Sequence, residues 1–315
     1  MQGVSKILVG MDLHHGDRIA TDDWGSSTQA AVDEAVIVAG ATGAEVTLCG
    51  VLEVSEHAHH LIALDEKHLL RTVEDVAKAA LDKLVQSLAG RGVKASYVIA
   101  FGSPWEELTR EAIAGRHDLV MVGTRSRGTA TRMLFGSTAQ KLIRFCPKPV
   151  WIAKPGEVRE IREILVATDF SQAAFAAMQA AVSVAQAIPS KLFVVHALEF
   201  PMESYFRTAG VNEEDIEKYR TRMTDEAREH LQSHLQQTDC RTLKYGVKTE
   251  VLEGTPDAVV PKYVADNEVD LLVIGTQGRS GISGMLLGNT AERILPFVHC
   301  SLLTIKPADF VSPLH

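Results

Sequence analysis

The stretch VDLLVIGTQGRSGISGMLLGNTAERIL, Val269 to Leu295, decides the fold class. It begins with an apolar run of strand length, passes through a loop that contains Gly275, Gly278 and Gly288, and ends in a helical pattern. A buried strand, a glycine-rich turn and a helix in this order are typical of a parallel sheet covered by helices. The stretch therefore predicts a strand-loop-helix unit of an α/β protein, whose loop is either a phosphate cradle or a plain turn.

A second version of this stretch, HDLVMVGTRSRGTATRMLFGSTAQKLI, lies at His117 to Ile143. Flanking motifs repeat as well. GSPWEEL at Gly102 matches GTPDAVV at Gly254, an offset of 152 residues (254 − 102). VWIAKP at Val150 matches LLTIKP at Leu302 with the same offset (302 − 150). A constant register over so long a stretch excludes coincidence. We therefore predict two copies of one domain, residues 1–155 and 160–315, separated by the charged segment KPGEVREIRE.

Within the second copy, strands and helices alternate. The strands are predicted at EILVATD, KLFVVHALE, GVKTEVLEG, VDLLVIGT and SLLTIKP, and the helices at AAFAAMQAAVSVAQAI, DEAREHLQSHLQQ, TPDAVVPKYVADNE and TAERILPFV. Pro261 is expected to kink or end its helix. Near-continuous apolar strands separated by helices indicate a parallel sheet with both faces covered, so the predicted fold class is α/β with two tandem doubly wound domains.

Composition and charge narrow the class of protein. The chain has 315 residues, 46% of them apolar, which suffices for two domains with buried cores. The sequence has no uninterrupted apolar run of about 18 residues, which is the length needed to span a membrane. The start MQGVSKILVGMD is predicted to be a core strand of a cytoplasmic protein. A net charge of −8 gives no basic surface for nucleic acid, and four cysteines without CxxC spacing indicate buried thiols.

The glycine loop of the second copy has the chemistry of a phosphate site. Gly275 and Gly278 can turn the chain with φ > 0 and bring backbone amides close to an anion. Gly288 and the pair Asn289–Thr290 begin a helix, whose unpaired N–H groups and positive dipole end form a second anion site. Arg279 could add charge, although a solvated loop arginine is the simpler interpretation. The Walker A sequence and the GxGxxG pattern are both absent.

Asp12 and Asp169 end the matching motifs ILVGMD and ILVATD, at the carboxyl end of the first strand of each copy. In doubly wound folds, ligands bind at this edge of the sheet, where the strand order switches. We therefore expect each aspartate to share an edge with the glycine loop of its own copy. The aspartate before FSQAAF can instead be only the N-cap of the next helix.

At these residues the sequence resembles a known family. Gly275, Gly278, Gly288 and Asn289 match Gly-x2-Gly-x9-Gly-Ser/Asn, the nucleotide signature of universal stress protein domains, and the order of the copies resembles the tandem members of this UspA superfamily. GRSGISGMLLGNTAE followed by LLTIKP is similar to the E type. The resemblance covers nearly the whole chain and is weak over residues 200–245. It implies a five-stranded parallel sheet with helices on both faces in each copy, an adenine nucleotide alpha hydrolase-like or Rossmann-like fold.

The resemblance also implies a ligand, which is ATP or the related AMP or ADP, with or without Mg²⁺. By this resemblance Asp169 contacts the adenine and ribose region, and the backbone of His196 and Ala197 lies beside the base. The ribose and phosphates are then bound by Gly275, Gly278, Gly288, Asn289 and Thr290.

The first copy departs from the signature. Ser126 replaces the second glycine, so that a side chain stands where backbone should approach the ligand, and serine is strained if the turn needs φ > 0. The insertion HHGDRIATDDWG follows Asp12 on the same edge and can cover the cleft. A degenerate second site is therefore expected at Asp12, Gly123, Ser126, Gly136, Ser137 and Thr138.

The sequence contains a group of histidines but no recognisable catalytic motif. Five histidines follow the first two strands of the first copy, where a transition metal could bind: His14, His15, His57, His59 and His60. They have neither cysteine partners nor an HExxH motif, so solvated histidines are the simpler interpretation and no metal site is predicted. His196 is interpreted as packed or hydrogen-bonded. No paired carboxylates, nucleophile elbow or Ser-His-Asp order is recognisable, and no catalytic residue is predicted.

The sequence thus predicts a non-enzymatic regulatory protein of the stress response that binds an adenine nucleotide in its second copy. Two other classes stay open: a slow ATP hydrolase or nucleotide-dependent transferase, and an interaction scaffold without ligand binding. Single-domain members of the family dimerise. The resemblance therefore implies that the two halves form an intrachain pseudo-dimer, and exposed closing strands could pair chains into a homodimer.

Overall fold

The chain divides into two units, one built mainly from each half. The structure, a computed structural model, describes residues 3–13, 23–53, 56–124, 135–156, 160–276 and 289–314, and of residues 56–72, 289 and 290 only the backbone. Unit 1 comprises Gln2–Glu160 with Ser301–Thr304 and Asp309–His315, and unit 2 comprises Ile161–Cys300 with Ile305–Ala308.

Strands and helices alternate along unit 1, as the apolar runs predict. Its elements from the first half of the chain are Lys6–Asp12 (β1), Gly25–Thr42 (α1), Glu45–Leu52 (β2), Glu56–Gly90 (α2), Ala95–Phe101 (β3), Pro104–Ala114 (α3), Leu119–Gly123 (β4), Ser137–Phe145 (α4) and Val150–Ala153 (β5).

The second half of the chain repeats this order with one additional helix. Its elements are Glu163–Ala167 (β6), Gln172–Ala187 (α5), Lys191–Leu198 (β7), Glu203–Thr208 (α6), Glu213–Gln236 (α7), Val247–Glu253 (β8), Pro256–Asp266 (α8), Leu271–Gly275 (β9), Asn289–Ile294 (α9) and Ser301–Ile305 (β10). Short 3₁₀ helices follow α7 at Cys240–Thr242 and α9 at Leu295–Phe297.

Parallel pairing joins the strands of unit 1 in the order β3-β2-β1-β4-β5. The order therefore switches direction between β1 and β4, which leaves a crevice at their carboxyl ends. The segment Ser301–Thr304 of β10 pairs antiparallel with β5, with Leu303 opposite Trp151. This pairing explains why four residues from far along the chain belong to unit 1.

In unit 2 the order β9-β6-β7-β8 is also parallel, and the switch lies between β6 and β9. The backbone amide of Thr276, just after β9, donates to the carbonyl of Ile305 at 3.0 Å. The two units thus present the same kind of crevice, each at the carboxyl ends of its own parallel strands.

Apolar side chains on the central strands form the core of each unit. The central strand residues Ile7, Leu8, Val9, Ile164, Leu165 and Val166 are all 0% exposed. Strands that are buried on both faces must be apolar at consecutive positions, which is why these runs do not alternate with polar residues. The predicted α/β class, with mostly parallel sheets flanked by helices, is confirmed.

Pro261 lies inside α8, which continues past it to Asp266. The expectation that the helix ends at Pro261 was therefore wrong. Pro261 is in the second turn, so its missing N–H removes only the bond to the carbonyl of Asp257 in the first turn. Pro296 does limit its helix, because α9 ends at Ile294 and the chain continues as 3₁₀.

Two further expectations concern cysteines and membrane spans. Cys49, Cys146 and Cys300 are buried thiols, as predicted, and Cys240 is half-buried. Within the described ranges, each helix is either too short or too polar to cross a bilayer.

Candidate functional site

A cleft of about 70 Å³ opens at the carboxyl ends of the unit 2 strands, at the switch between β6 and β9. It brings together four of the predicted site residues, Asp169, His196, Ala197 and Gly275. The rest of its lining is mainly apolar: Ala167, Thr168, Ala174, Val195, Pro256, Val260, Ile274, Ala291 and Ile294. An apolar cleft with a few convergent polar groups is the usual form of a small-molecule site.

Asp169 is held in a tight turn between β6 and α5. Its Oδ1 atom accepts a hydrogen bond from the amide of Ser171 at 3.0 Å, and Oγ of Ser171 accepts one from the amide of Ala174 at 3.2 Å. The N-cap of α5 is therefore Ser171, so the interpretation of Asp169 as a mere N-cap was wrong. The turn fixes the carboxylate at the cleft wall.

Phe170 completes this turn in a left-handed conformation, with φ of +65°. Such a conformation costs a bulky residue about 1–3 kcal/mol, and it persists only where the surroundings hold it. The ring of Phe170 packs at centroid distances of 4.3 Å from His196, 5.4 Å from His230 and 5.6 Å from His234. These contacts stabilise the strained turn that carries Asp169.

His196 is buried, with 8% of its surface exposed, at the end of β7. Its Nδ1 atom lies 2.8 Å from the carbonyl oxygen of Thr168. Because a carbonyl only accepts, Nδ1 carries the proton and donates. The imidazole therefore ties the end of β7 to the end of β6, next to Asp169.

Gly275 ends β9 where the helix α5 passes. A Cβ atom on Gly275 would lie 2.5 Å from the carbonyl carbon of Ala173 and 2.7 Å from the amide nitrogen of Ala174. Its φ is not among the positive values, so the expectation of a turn with φ > 0 at this position was wrong. Only glycine fits here because strand and helix backbones are in contact.

The remaining predicted residues of unit 2 are only partly described. Gly278, Arg279 and Gly288 lie outside the described residues. Asn289 and Thr290 begin α9, and Ala291, which follows them, lines the cleft. The start of α9 is thus at the cleft.

An ion pair connects the two helices that line the outer side of the cleft. Nη2 of Arg293 on α9 lies 2.7 Å from Oδ1 of Asp257 on α8. Burial raises the pKa of Asp257, but a hydrogen bond from its own backbone amide and the contacts to Arg293 and Thr255 outweigh this effect and leave the pKa below its ordinary value. Asp257 therefore carries its charge at neutral pH.

Unit 1 has a corresponding cleft of about 110 Å³. Five residues of the predicted degenerate site line it: Asp12, Gly123, Gly136, Ser137 and Thr138. Ser126 lies outside the described residues. Gly136 is the N-cap of α4, and a Cβ on Gly123 would lie 1.9 Å from the carbonyl oxygen of Ser27. The first glycine of both copies thus has the same packing role.

Sequence reasoning missed the outer side of both clefts. Pro256 and Val260 on α8, and Pro104 and Leu108 on α3, are lining residues. A sequence signal for these helices was present, because the motifs GTPDAVV and GSPWEEL are repeated with the same offset as the glycine loops. Ser27 was missed as well, and its hydroxyl donates to the carbonyl of Thr124 beside the unit 1 cleft.

The described side chains contain no group of three His, Cys, Asp or Glu residues that could hold a metal ion. His14 and His15 lie outside the described residues. His57, His59 and His60 fall in α2, where only the backbone is described.

Comparisons with known proteins agree with the repeat. The model of the universal stress protein family matches residues 4–154 and again residues 160–306. Universal stress protein E of Photorhabdus laumondii is 28% identical over 225 residues, which are 69% of this chain and 70% of that protein. Universal stress protein E of Escherichia coli K12 is 28% identical over 228 residues, 69% of each protein.

A solved structure shares the fold over the whole length. The crystal structure of a universal stress protein from Archaeoglobus fulgidus superposes with a TM-score of 0.66 and covers 97% of this chain and 100% of its own. The sequence identity is 18%, so this likeness concerns the fold alone.

Proposed function

Because this chain belongs to the universal stress protein family and carries one family domain in each half, we propose that it binds ATP, or the related AMP or ADP, in the unit 2 cleft. The observation that carries the proposal is the meeting of Asp169, Gly275 and the start of α9 around one apolar cleft at the strand switch. A nucleotide needs such a combination, because its base is flat and largely apolar whereas its ribose and phosphates are polar.

Each part of the cleft suits one part of this ligand. The apolar walls formed by Val195, Val260 and Ile274 would hold the base. The carboxylate of Asp169 would accept hydrogen bonds from ribose hydroxyls. The glycine loop after Gly275 and the residues that begin α9 would bind the phosphates through backbone amides.

The proposed role is regulatory, in a cytoplasmic stress-response protein that has no membrane span and binds no nucleic acid. Nucleotide binding would shift the population of a conformer or an assembly, such as the homodimer or the arrangement of the two halves. Such a shift requires that the nucleotide bind one state more tightly than the other. Unit 1 would bind more weakly, through Asp12, Gly123, Gly136, Ser137 and Thr138, because Ser126 interrupts its loop.

The proposal is tested by calorimetric titration of ATP, ADP and AMP into wild type, Asp169→Asn and the matched control Asp12→Asn. An asparagine oxygen can still accept from the amide of Ser171, so the turn is kept, but the charge is lost and an NH₂ group replaces the oxygen that would accept from the ribose. A lost hydrogen bond to a charged acceptor weakens binding by about ten- to a hundredfold. We expect this loss in Asp169→Asn and little change in Asp12→Asn.

Other outcomes decide between the classes of function. Equal affinity in Asp169→Asn and wild type would contradict the site. No heat with any nucleotide would indicate a scaffold without ligand, and repeated release of ADP from the bound ATP would indicate a hydrolase.

A further inference from the structure

Two helices of unit 2 form the outer walls of its cleft, and each contributes two lining residues. Pro256 and Val260 lie on α8, and Ala291 and Ile294 lie on α9. The ion pair described above joins the neighbours of these residues. Asp257 follows Pro256 directly, and Arg293 lies between Ala291 and Ile294 in sequence. The pair therefore connects the two walls next to the cleft.

The ion pair between Asp257 and Arg293 is partly exposed to solvent. The side chain of Asp257 is 29% exposed and that of Arg293 is 57% exposed. The Oδ1 atom of Asp257 is shielded from solvent, and Nη2 of Arg293 lies 2.7 Å from it. Breaking this contact would leave a partly shielded carboxylate without its cation.

Unit 1 has a different contact at the same two positions. The offset of 152 residues relates Asp257 to Trp105 (257 − 152) and Arg293 to Lys141 (293 − 152). Nζ of Lys141 lies 5.5 Å from the ring centroid of Trp105, within the range of a cation–π contact. The ring of Trp105 also packs against Phe145 at 5.1 Å. Both units thus join the same two helices at the same place, with different chemistry.

We propose that Asp257 and Arg293 are positioning residues that fix α8 against α9, and that this contact sets the affinity of the unit 2 cleft for its nucleotide. The inference rests on the proposed function, because it assigns a role in that same site. Neither residue needs to touch the ligand. The contact keeps the walls formed by Pro256, Val260, Ala291 and Ile294 at one separation, whereas Trp105 and Lys141 do the same in unit 1.

A direct role in attracting phosphate makes the opposite prediction for one variant. If Arg293 attracts the anionic ligand by charge, then Asp257→Asn removes a repelling charge and strengthens binding, while Arg293→Gln weakens it. If the pair positions the two walls, both variants weaken binding. The sign of the change in Asp257→Asn therefore separates the two roles.

The first experiment is calorimetric titration of ATP into wild type, Asp257→Asn, Arg293→Gln, the double variant, and Arg293→Lys, which keeps the charge. We expect each single neutral variant to weaken binding about two- to fivefold, as for a part-exposed ion pair. The double variant should bind ATP no more weakly than either single variant. Arg293→Lys should retain most of the affinity for ATP. Lys141→Met is the matched control in unit 1 and should leave the affinity of unit 2 unchanged.

The second experiment needs no ligand. Amide hydrogen exchange over residues 289–294 is measured in the nucleotide-free full-length protein, and we expect faster exchange in Asp257→Asn than in wild type and no change in Lys141→Met. If wild type binds no nucleotide but exchange in α9 still accelerates, the proposed function fails and the positioning contact stands. If wild type binds ATP while Asp257→Asn binds equally or more tightly, or exchange in α9 is unchanged, the inference is overturned.

Discussion

The first glycine of each loop touches the backbone of a neighbouring helix. A Cβ on Gly275 would lie 2.5 Å from the backbone of Ala173, and one on Gly123 would lie 1.9 Å from that of Ser27. Glycine-rich loops are usually explained by ligand approach or by positive φ, and neither explains these two positions. Backbone packing therefore requires glycine at both positions, with or without a bound ligand.

A single methyl group tests this packing role. We expect Gly275→Ala to destabilise the protein by about 1–3 kcal/mol, because α5 must move away from β9 to admit the side chain. Gly40→Ala is the matched control, since a Cβ there meets nothing within 4 Å and the residue lies inside α1. The control should be neutral or stabilising. Urea unfolding followed by circular dichroism measures both, and equal midpoints for Gly275→Ala and wild type would contradict the packing role.

The helix α7 shows what sequence patterns detect and what they miss. Its apolar stripe predicted a helix only from Asp225, but the helix begins at Glu213. Its first turns are held partly by Ile216, which is 1% exposed, and by Tyr219, whose ring packs on that of Phe206, and they are also stabilised locally. Oδ1 of Asn212 accepts from the amide of Asp215 at 2.9 Å as an N-cap, and Lys218 pairs with Glu214 at 2.8 Å. An Asn followed by acidic residues was the available signal.

The same helix places a histidine against the strained turn of the cleft. His234 packs on the rings of Phe170 and Phe175 at 5.6 and 5.5 Å. Its Nδ1 atom is shielded and has no hydrogen-bond partner within the described part of the chain. Burial, and to a smaller extent the nearby His230, lowers the pKa of His234 below its ordinary value of 6.5. The folded state therefore favours the neutral ring.

Stability should consequently fall as the pH decreases. Because the unfolded chain binds the proton more readily, the contribution of His234 is complete above pH 6.5 and is lost as the pH falls from there towards the lower pKa of the folded state. We expect His234→Gln to show a shallower loss of stability between about pH 7 and pH 5. Urea unfolding at several pH values measures this loss.

A second histidine, His117 of unit 1, allows a matched measurement of the pH dependence of stability. Burial also lowers the pKa of His117, so His117→Gln should reduce the pH dependence independently. An undiminished pH dependence in His234→Gln would show that this ring is not protonated on unfolding in that range.

At the scale of the whole molecule, the two units are copies that differ at the cleft. His196 and Phe170 of unit 2 correspond to Gly50 and Leu13 of unit 1, by offsets of 146 (196 − 50) and 157 (170 − 13). A Cβ on Gly50 would lie 2.6 Å from Cδ1 of Leu13, so a leucine fills the space beside this strand in unit 1. In unit 2, the imidazole of His196 and the ring of Phe170 stack there instead.

The fold was predictable because the repeat fixed the order of elements and the consecutive apolar residues of β1 and β6 required a sheet buried on both faces. Asp169 and Gly275 line one cleft, as expected for carboxyl ends of parallel strands that share an edge, and His196 and Ala197, which the family resemblance suggested, line it too. The contact of Asp257 with Arg293 was not predictable, since it depends on how two helices pack. The strained φ of Phe170 depends in the same way on rings from β7 and α7.

Unequal nucleotide binding by the two units is the central claim, and the number of ATP molecules bound per chain tests it most directly. Calorimetric titration, or native mass spectrometry at saturating ATP, would be carried out on wild type, Gly288→Val and Gly136→Val, the same substitution at matching loop positions. We predict one tightly bound ATP per chain in wild type, no tight binding in Gly288→Val, and one tightly bound ATP in Gly136→Val. Retention of tight binding in Gly288→Val, or its loss only in Gly136→Val, would contradict the account.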